Sequence, residues 1–364
     1  MKFWFIPILL IPFIGQYYVC LRTWNVLPLP TAVRIVVMIL MTLTFAAFFF
    51  TFFGQLDRLP FRVAASTYQI STSWIFIMLY LAILFLLLDA GRLLHIFPDE
   101  WMHSSLKGSI FVAGIIIVVF TYGYFNYNAK RRIPMTIETS KPIVRPLKIV
   151  MMADLHLGYI NRKDDFHKWV DMVNAEHPDL ILIGGDIVDH GIRAVLYQDM
   201  ASEFHRLKAP IYACLGNHEY YSDNVGCGKF YAAAGVHLLR DNQAIVDGIR
   251  IIGRDDRTNP RRKEVSELVG ADNQYFTILL DHQPYHLEDA ERAGIDFQFS
   301  GHTHYGQLWP VSWIEDAMYE DAFGPYRLGS TQYYVTSGLG IWGAKFRIGT
   351  RSEYLVVEIK NKGK

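Results

Sequence analysis

Near its C-terminus the chain reads FSGHTHYGQ, placing His302 and His304 two residues apart between Gly301 and Gly306. Imidazoles at that spacing could serve one metal, two metals or none, because an HxH after an apolar run also occurs in solvated loops and packed cores. Other stretches offer similar atoms: Asp154 and His156 in ADLH, Asp186 and Asp189 in GGDIVD, Asn217 and His218 in GNHE, and His282 in LLDHQP. Taken singly, each of these has a plainer reading as a helix cap or a turn. Together they are carboxylate, amide carbonyl and imidazole, the O and N donors that Mn, Fe and Zn accept, with no thiolate among them. The chemistry they would do as a set is metal coordination.

Such a set must be carried by elements that converge. After Pro146 the chain alternates apolar runs with helical stretches. LKIVMM leads into ADLH, Phe166, Trp169, Val170 and Val173 recur at helical spacing over 163–176, and DLILI leads into GGD. A helix over 194–207, the strand IYACL, a helix near 229–234, strand-like HLLRDNQAIV and IRIIG, and later FTILL, FQFS, YYVTS and YLVVEIK continue the pattern. Apolar runs separated by helices early and by strand pairs later indicate an α/β domain around a sheet sandwich. In such sheets ligands bind beyond the carboxyl ends of the strands. The candidate donors follow the apolar runs, at those ends.

With the blocks in that order, residues 147–360 resemble the calcineurin-like metallophosphoesterases, whose pattern runs D-x-H, G-D-x-x-D, G-N-H-E, H and G-H-x-H. Here it reads Asp154-Leu155-His156, Gly185-Asp186-Ile187-Val188-Asp189, Gly216-Asn217-His218-Glu219, His282 and Gly301-His302-Thr303-His304. The resemblance implies a four-layer α/β/β/α sandwich and two divalent or trivalent ions (Mn, Fe or Zn). Asp154, His156 and His304 would bind one ion, Asn217, His282 and His302 the other, and Asp186 would bridge. It further implies hydrolysis of P–O bonds by attack of a metal-bridging hydroxide, with His218 protonating the leaving group or stabilising phosphate charge and Asp189 orienting His218. In the protein-phosphatase branch an Arg follows that Asp. His190 stands there instead, which points away from phosphoprotein substrates.

The tail LGIWGAKFRIGTRSEYLVVEI is similar to the membrane-linked bacterial branch, so Trp342 and Arg347 are candidate cleft residues beside a packed-Trp, surface-Arg alternative. Arg254, Asp255 and Asp256 are candidate substrate contacts of the same standing. Members of that branch include UDP-diacylglucosamine pyrophosphatases of lipid A synthesis, which makes a lipid-linked phosphodiester or pyrophosphate the expected substrate. A scaffold that kept the fold without catalysis would be expected to have lost ligands, and here every ligand position is filled.

The first third reads for a different solvent. Hydrophobic residues make up 51% of the chain, concentrated in four apolar segments, 3–19, 32–53, 73–88 and 109–124. Each approaches the length that a ~30 Å hydrocarbon core requires. Pro7 and Pro12 interrupt the first, and no small-residue cleavage site follows it, so an uncleaved span is expected rather than a signal peptide. Trp4, Tyr17, Tyr18, Trp24, Trp74, Trp101, Tyr122 and Tyr124 lie near segment ends, where amphipathic rings favour headgroups. Asp89 and Arg92 fall at the end of a span and read as interfacial rather than as an ion pathway.

The expected organisation is therefore a four-helix membrane domain over 1–129, a proline-rich linker over 130–146 and a metallophosphoesterase domain over 147–364. Lys130-Arg131-Arg132 after the fourth segment places the catalytic domain on the cytoplasmic side, in a bacterial inner membrane on the strength of the resemblance. Membrane lipids are expected partners. The balance of 35 basic and 35 acidic residues gives no electrostatic case for nucleic acid. Three cysteines, none in a CxxC pair, give no disulfide framework, and Cys214 reads as an inert buried thiol. Oligomeric state is not legible.

Overall fold

A computed structural model describes residues 5–270 and 274–363. The chain forms two compact units, Met1–Tyr124 and Phe125–Lys364. In the first, α1 covers Phe5–Val26, α2 Thr31–Phe52 and α3 Phe61–Leu93, and α4 covers Leu106–Asn128. Among the described residues three helices, α2, α3 and α4, are long and apolar enough to cross a membrane, not the expected four. The start of the first apolar segment lies outside the described residues, and from Gln16 onward α1 mixes in Tyr17, Tyr18, Arg22, Thr23 and Asn25. Ile39, Leu40, Leu43, Leu86, Leu87, Ile117 and Val118 are exposed, so these helices present apolar surface outward as well as inward. Asp89 lies at the end of α3. It accepts from Tyr18 Oη at 2.7 Å and pairs with Arg22 Nη2 at 2.5 Å, a staple between α1 and α3.

The second unit holds two six-stranded sheets. The strands are β1 (Arg131–Thr139), β2 (Leu147–Met152), β3 (Leu180–Ile183), β4 (Ile211–Ala213), β5 (Val236–Leu238), β6 (Asn242–Val246), β7 (Ile249–Gly253), β8 (Phe276–Leu280), β9 (Phe297–Ser300), β10 (Gly324–Leu328), β11 (Thr331–Val335) and β12 (Glu353–Asn361). One sheet has the order β1-β12-β2-β3-β4-β5, the other β10-β11-β9-β8-β7-β6. β2 to β5 run parallel, as do β7, β8, β9 and β11, so the carboxyl ends of each set emerge on one side. The helices are α5 (Lys163–Ala175), α6 (Ile192–Tyr197), α7 (Met200–Phe204), α8 (Asn217–Ser222), α9 (Asn224–Ala233), α10 (Val265–Val269), α11 (Leu287–Arg292) and α12 (Ser312–Met318).

Strand alternation builds the layers. Ile149 and Met151, Leu180 and Leu182, and Leu355, Val357 and Ile359 meet Ile249, Ile278 and Phe299 between the sheets. Their neighbours Val150, Ile181 and Val356 point the other way, against Phe166 and Trp169 of α5, Phe204 of α7 and Phe230 of α9. On the far side Ile252 and Leu279 pack with Leu268 of α10 and Leu287 of α11. Period-two side chains thus give each sheet two buried faces.

Three expectations change. Residues 130–146 are not simply a connector, because Arg131–Thr139 is β1, paired in parallel with β12 along its length. Pro134 suggested otherwise, yet an edge strand tolerates a missing N–H, and Ile133, Met135 and Ile137 alternate toward the inter-sheet core. The stretch HLLRDNQAIV is two strands in different sheets, β5 and β6, broken at Asp241, whose φ of 47° turns the chain. The helix expected over 194–207 is divided into α6 and α7 by Asp199 at φ 50°. If β1 belongs to the core, Ile137→Ala should cost the full chain about 2–4 kcal/mol, read as a lower thermal midpoint; an unchanged midpoint would return the segment to a connector.

Candidate metal centre

Every donor singled out in the sequence comes to the carboxyl ends of the strands. Asp154 and His156 follow β2, and Asp186 and Asp189 follow β3. Asn217 and His218 open α8 after β4, His282 follows β8, and His302 and His304 follow β9. The parallel registers Met152↔Ile183 and Ile183↔Ala213 in one sheet and Leu280↔Phe299 in the other align these exits. The chain bends sharply there: φ is 55° at Asp154, 44° at His156, 50° at Asp186, 73° at His302 and 48° at His304. Left-handed backbone at a non-glycine residue costs about 1–3 kcal/mol and persists only where surroundings enforce it. At Gly301 a side chain is excluded outright, since a Cβ would overlap the Asp154 carboxylate and lie 2.8 Å from Ala153 Cβ.

Among the described residues the donors form three groups: Asp154, His156 and His304 in a first, Asp186, His282 and His302 in a second, and His156 again with Asp189 and His218 in a third. In the first, His156 Nε2 and His304 Nε2 stand 3.0 Å apart, and each is within 4 Å of Asp154 Oδ1, at 3.9 and 3.6 Å. In the second, His282 Nε2 lies 3.1 Å from Asp186 Oδ2, while His302 Nδ1 is 2.7 Å from the Asn217 carbonyl oxygen. Asp186 Oδ2 is also 3.8 Å from His156 Nε2, so its carboxylate faces both groups.

Hydrogen bonds fix which nitrogen each ring presents. His282 Nδ1 donates to Gly184 O at 2.7 Å, turning Nε2 toward Asp186. His156 Nδ1 donates to Asp189 Oδ1 at 3.2 Å, which turns Nε2 toward His304. His218 Nδ1 donates to the backbone carbonyl of Asp189 at 2.8 Å. Asp189 was expected to orient His218; its carboxylate is closer to His156 than to His218 Nδ1, at 3.2 against 3.4 Å, and its carbonyl serves His218. One residue thus orients two rings.

Burial raises the Asp154 carboxyl. Burial would lower His282, yet Asp186 lifts it well above the ordinary imidazole value, so in the absence of an added cation His282 carries the positive charge beside Asp186. Burial alone would raise Asp186, but His282, His218 and His156 hold its carboxyl well below the usual range. Burial, with His156 and Arg347 nearby, keeps His304 well below the ordinary imidazole value, and burial with His282 lowers His302 to about 4. Both are therefore neutral with lone pairs available. Burial would lower His218 too, yet Asp186 and Asp189 lift it to about 9. Two facing Nε2 atoms can share at most one proton, whereas a cation between them takes both lone pairs. His304 Nδ1 is buried without a hydrogen bond. The O and N donors, the paired lone pairs and the anionic Asp186 fit divalent or trivalent ions.

Several positioning residues were missed or misread in the sequence. Glu219 is fully buried and accepts from Gly216 N, Asp186 N, Val188 N and Tyr231 Oη at 2.7 to 3.2 Å. Its signal was the Gly-x-x-Glu spacing at the start of α8, the reach-back pattern of a capping box. Asn161 donates to the carbonyls of Leu155, His156 and Ile341 and accepts from Tyr127 Oη, with nothing in its local sequence to mark it. Arg347 was a candidate cleft residue; it is wholly buried and donates to the carbonyls of His304, Ser337 and Gly340. Trp342 is half-buried, and its carbonyl accepts from Gln307 Nε2. Arg254, Asp255 and Asp256 are also buried and engaged, with Asp281, with Tyr220 and Arg240, and with Gln283, so they brace the fold rather than wait for substrate.

Fold and centre together define a metal-dependent phosphoesterase, and comparison with known proteins agrees. The calcineurin-like phosphoesterase family pattern matches residues 147–306. An uncharacterized metallophosphoesterase of Helicobacter pylori is 32% identical over 254 residues, 67% of this chain and 68% of that one. A transmembrane protein with metallophosphoesterase domain from Danio rerio is 27% identical over 356 residues, 90% of this chain and 80% of its own length. Among solved structures, the 5'-nucleotidase precursor of Thermus thermophilus superposes with a TM-score of 0.36 at 20% identity. That match covers 53% of this chain and 50% of that structure, so this chain spans about half its length. The chain belongs to the calcineurin-like phosphoesterase family.

Glu219→Gln offers one carbonyl oxygen in place of two carboxylate oxygens and turns an amide N–H₂ toward backbone donors. Metal retention against a chelator should weaken about 10–100-fold, measured as metal per chain after competition; unchanged retention would reduce Glu219 to a helix cap.

Proposed function

We propose that this chain is a membrane-anchored phosphohydrolase with a two-ion centre, cleaving a phosphodiester or pyrophosphate whose substrate is lipid-linked. The single observation that carries the reading is the placement of Asp186, whose carboxylate faces both donor groups. Asp154, His156 and His304 would hold one ion, Asn217, His282 and His302 the other, with Asp186 shared between them. Two ions so held would supply Lewis acidity toward water and toward the phosphoryl oxygens. His218 does the proton work. Its Nδ1 is committed to Asp189 O, so Nε2 is the atom it presents to the departing oxygen. Asp189 holds His156 and His218 in register, and Glu219 fixes the backbone that carries Asp186.

The membrane part of the proposal rests on α2, α3 and α4, long and apolar enough to span. Lys130, Arg131 and Arg132, directly after α4, favour the cytoplasmic side for the catalytic unit. An anchored enzyme meets lipid-borne substrates at high local concentration. Compounds resembling UDP-diacylglucosamine are accordingly the first substrates to test, beside soluble diesters and monoesters.

The purified full chain should carry close to two transition-metal ions, and Asp186→Ala should lose both the second ion and hydrolysis of bis(p-nitrophenyl) phosphate. His218→Gln should keep its metal while kcat falls about 10²–10³-fold. Full activity of Asp186→Ala would sink the mechanism.

A further inference from the structure

Between the loop bearing His302 and His304 and strand β10, the chain makes a short detour that buries Leu308, Tyr319 and Ala322 but leaves other large apolar side chains exposed. Trp313, Ile314 and Met318 of α12 are 64%, 56% and 58% exposed, and Trp309 just before the helix is 41% exposed. The rings of Trp309 and Trp313 meet edge to face at 5.3 Å. Leu196, Tyr197, Tyr221, Val225 and Ile245 are exposed elsewhere in this unit, but residues 309–318 gather four such side chains, two of them Trp, in one short segment, and that concentration marks an interaction surface.

The detour is tied to the metal-site loop. Trp309 N donates to Ile348 O at 2.7 Å, Thr303 Oγ1 donates to Ala322 O at 2.8 Å, and the Tyr305 ring stacks on Phe323 at 4.8 Å. Folding the patch away would therefore disturb the segment that carries two candidate ligands.

We propose that Trp309 and the apolar face of α12 dock on a zwitterionic lipid surface, holding the metal-site loop against the bilayer. Large amphipathic rings with Ile and Met beside them are the composition that settles at a membrane interface. A chain with three helices able to span a bilayer keeps that surface within reach. α12 carries Glu315 and Asp316 and no basic side chain, so attraction to anionic headgroups is absent and apolar burial supplies the affinity. A second copy of the chain fits less well, since four side chains fall far short of the roughly 20–30 residues a side of a stable protein interface. The inference rests on the membrane-anchored reading above and is independent of the reaction.

The test uses the full chain with Cys20→Ser, in phosphatidylcholine vesicles, carrying a bimane probe at Trp313→Cys or, as a second site, Ile314→Cys. Lys208→Cys is the reference. It is exposed and precedes β4, at the sheet end opposite the metal centre. Lipids with brominated chains should quench the α12 probes at least about twofold more than the reference, from either leaflet-facing orientation of the protein. Equal quenching in chains that float with the vesicles overturns the docking surface alone. Chains that fail to float overturn the anchored reading and the docking surface together, and probe shielding that follows protein density rather than lipid assigns the patch to a second copy and overturns it.

Discussion

The carboxylate of Asp186 is 1% exposed, and among the described residues no lysine or arginine pairs with it. It meets imidazoles and the backbone N–H of His218 instead. Burying an anion is costly unless positive charge is brought to it, and the surrounding structure is arranged around that cost. His282 is turned by Gly184 so that its nitrogen faces Asp186, and His156 is turned by Asp189 toward the same region. The arrangement is stable in proportion to the positive charge brought to it, which is the physical meaning of a metal centre.

The backbone bears a second cost for the same purpose. Five of the candidate ligands stand in left-handed conformation, and the loops that hold them contain little regular structure. Side chains reaching to main-chain groups do what a ladder of hydrogen bonds would do elsewhere. Asn161 ties the loop after β2 to Ile341, Glu219 ties the loop after β3 to the start of α8, and Asn126 donates to the carbonyls of Arg347 and Thr350. These contacts link segments far apart in sequence, so the bends are enforced from outside each loop.

That distinction explains what was legible beforehand. The candidate donors were readable because each follows an apolar run, and the parallel strand order β2, β3, β4 and β8, β9 brings those ends together by topology. The layered sheets were readable from alternation such as Ile149, Val150, Met151, whose members go to opposite faces. β1 was hidden by Pro134, because a proline says the same thing in a connector and at a sheet edge. The division between β5 and β6 was hidden because an aspartate at φ 47° leaves no mark that a continuing strand would lack. Asn161 was invisible, since its partners lie up to 180 residues away.

Arg347 shows why residue type alone could not separate a substrate contact from a frame. A guanidinium near a phosphoesterase centre has an obvious use, yet this one is wholly buried, and burial lowers its pKa to about 10 while Asp154 and Glu353 support its charge. Its Nη1 and Nη2 groups donate to carbonyls of the segments that carry His304 and Gly338–Gly340. Arginine suits that position because its planar fork can satisfy several carbonyls at once, which a lysine ammonium on a flexible stem does less well. A fixed cation placed behind Asp154 and beside His304 also keeps that imidazole neutral. Holding the loop and preparing a candidate ligand are thus the same act, performed by a wholly buried side chain.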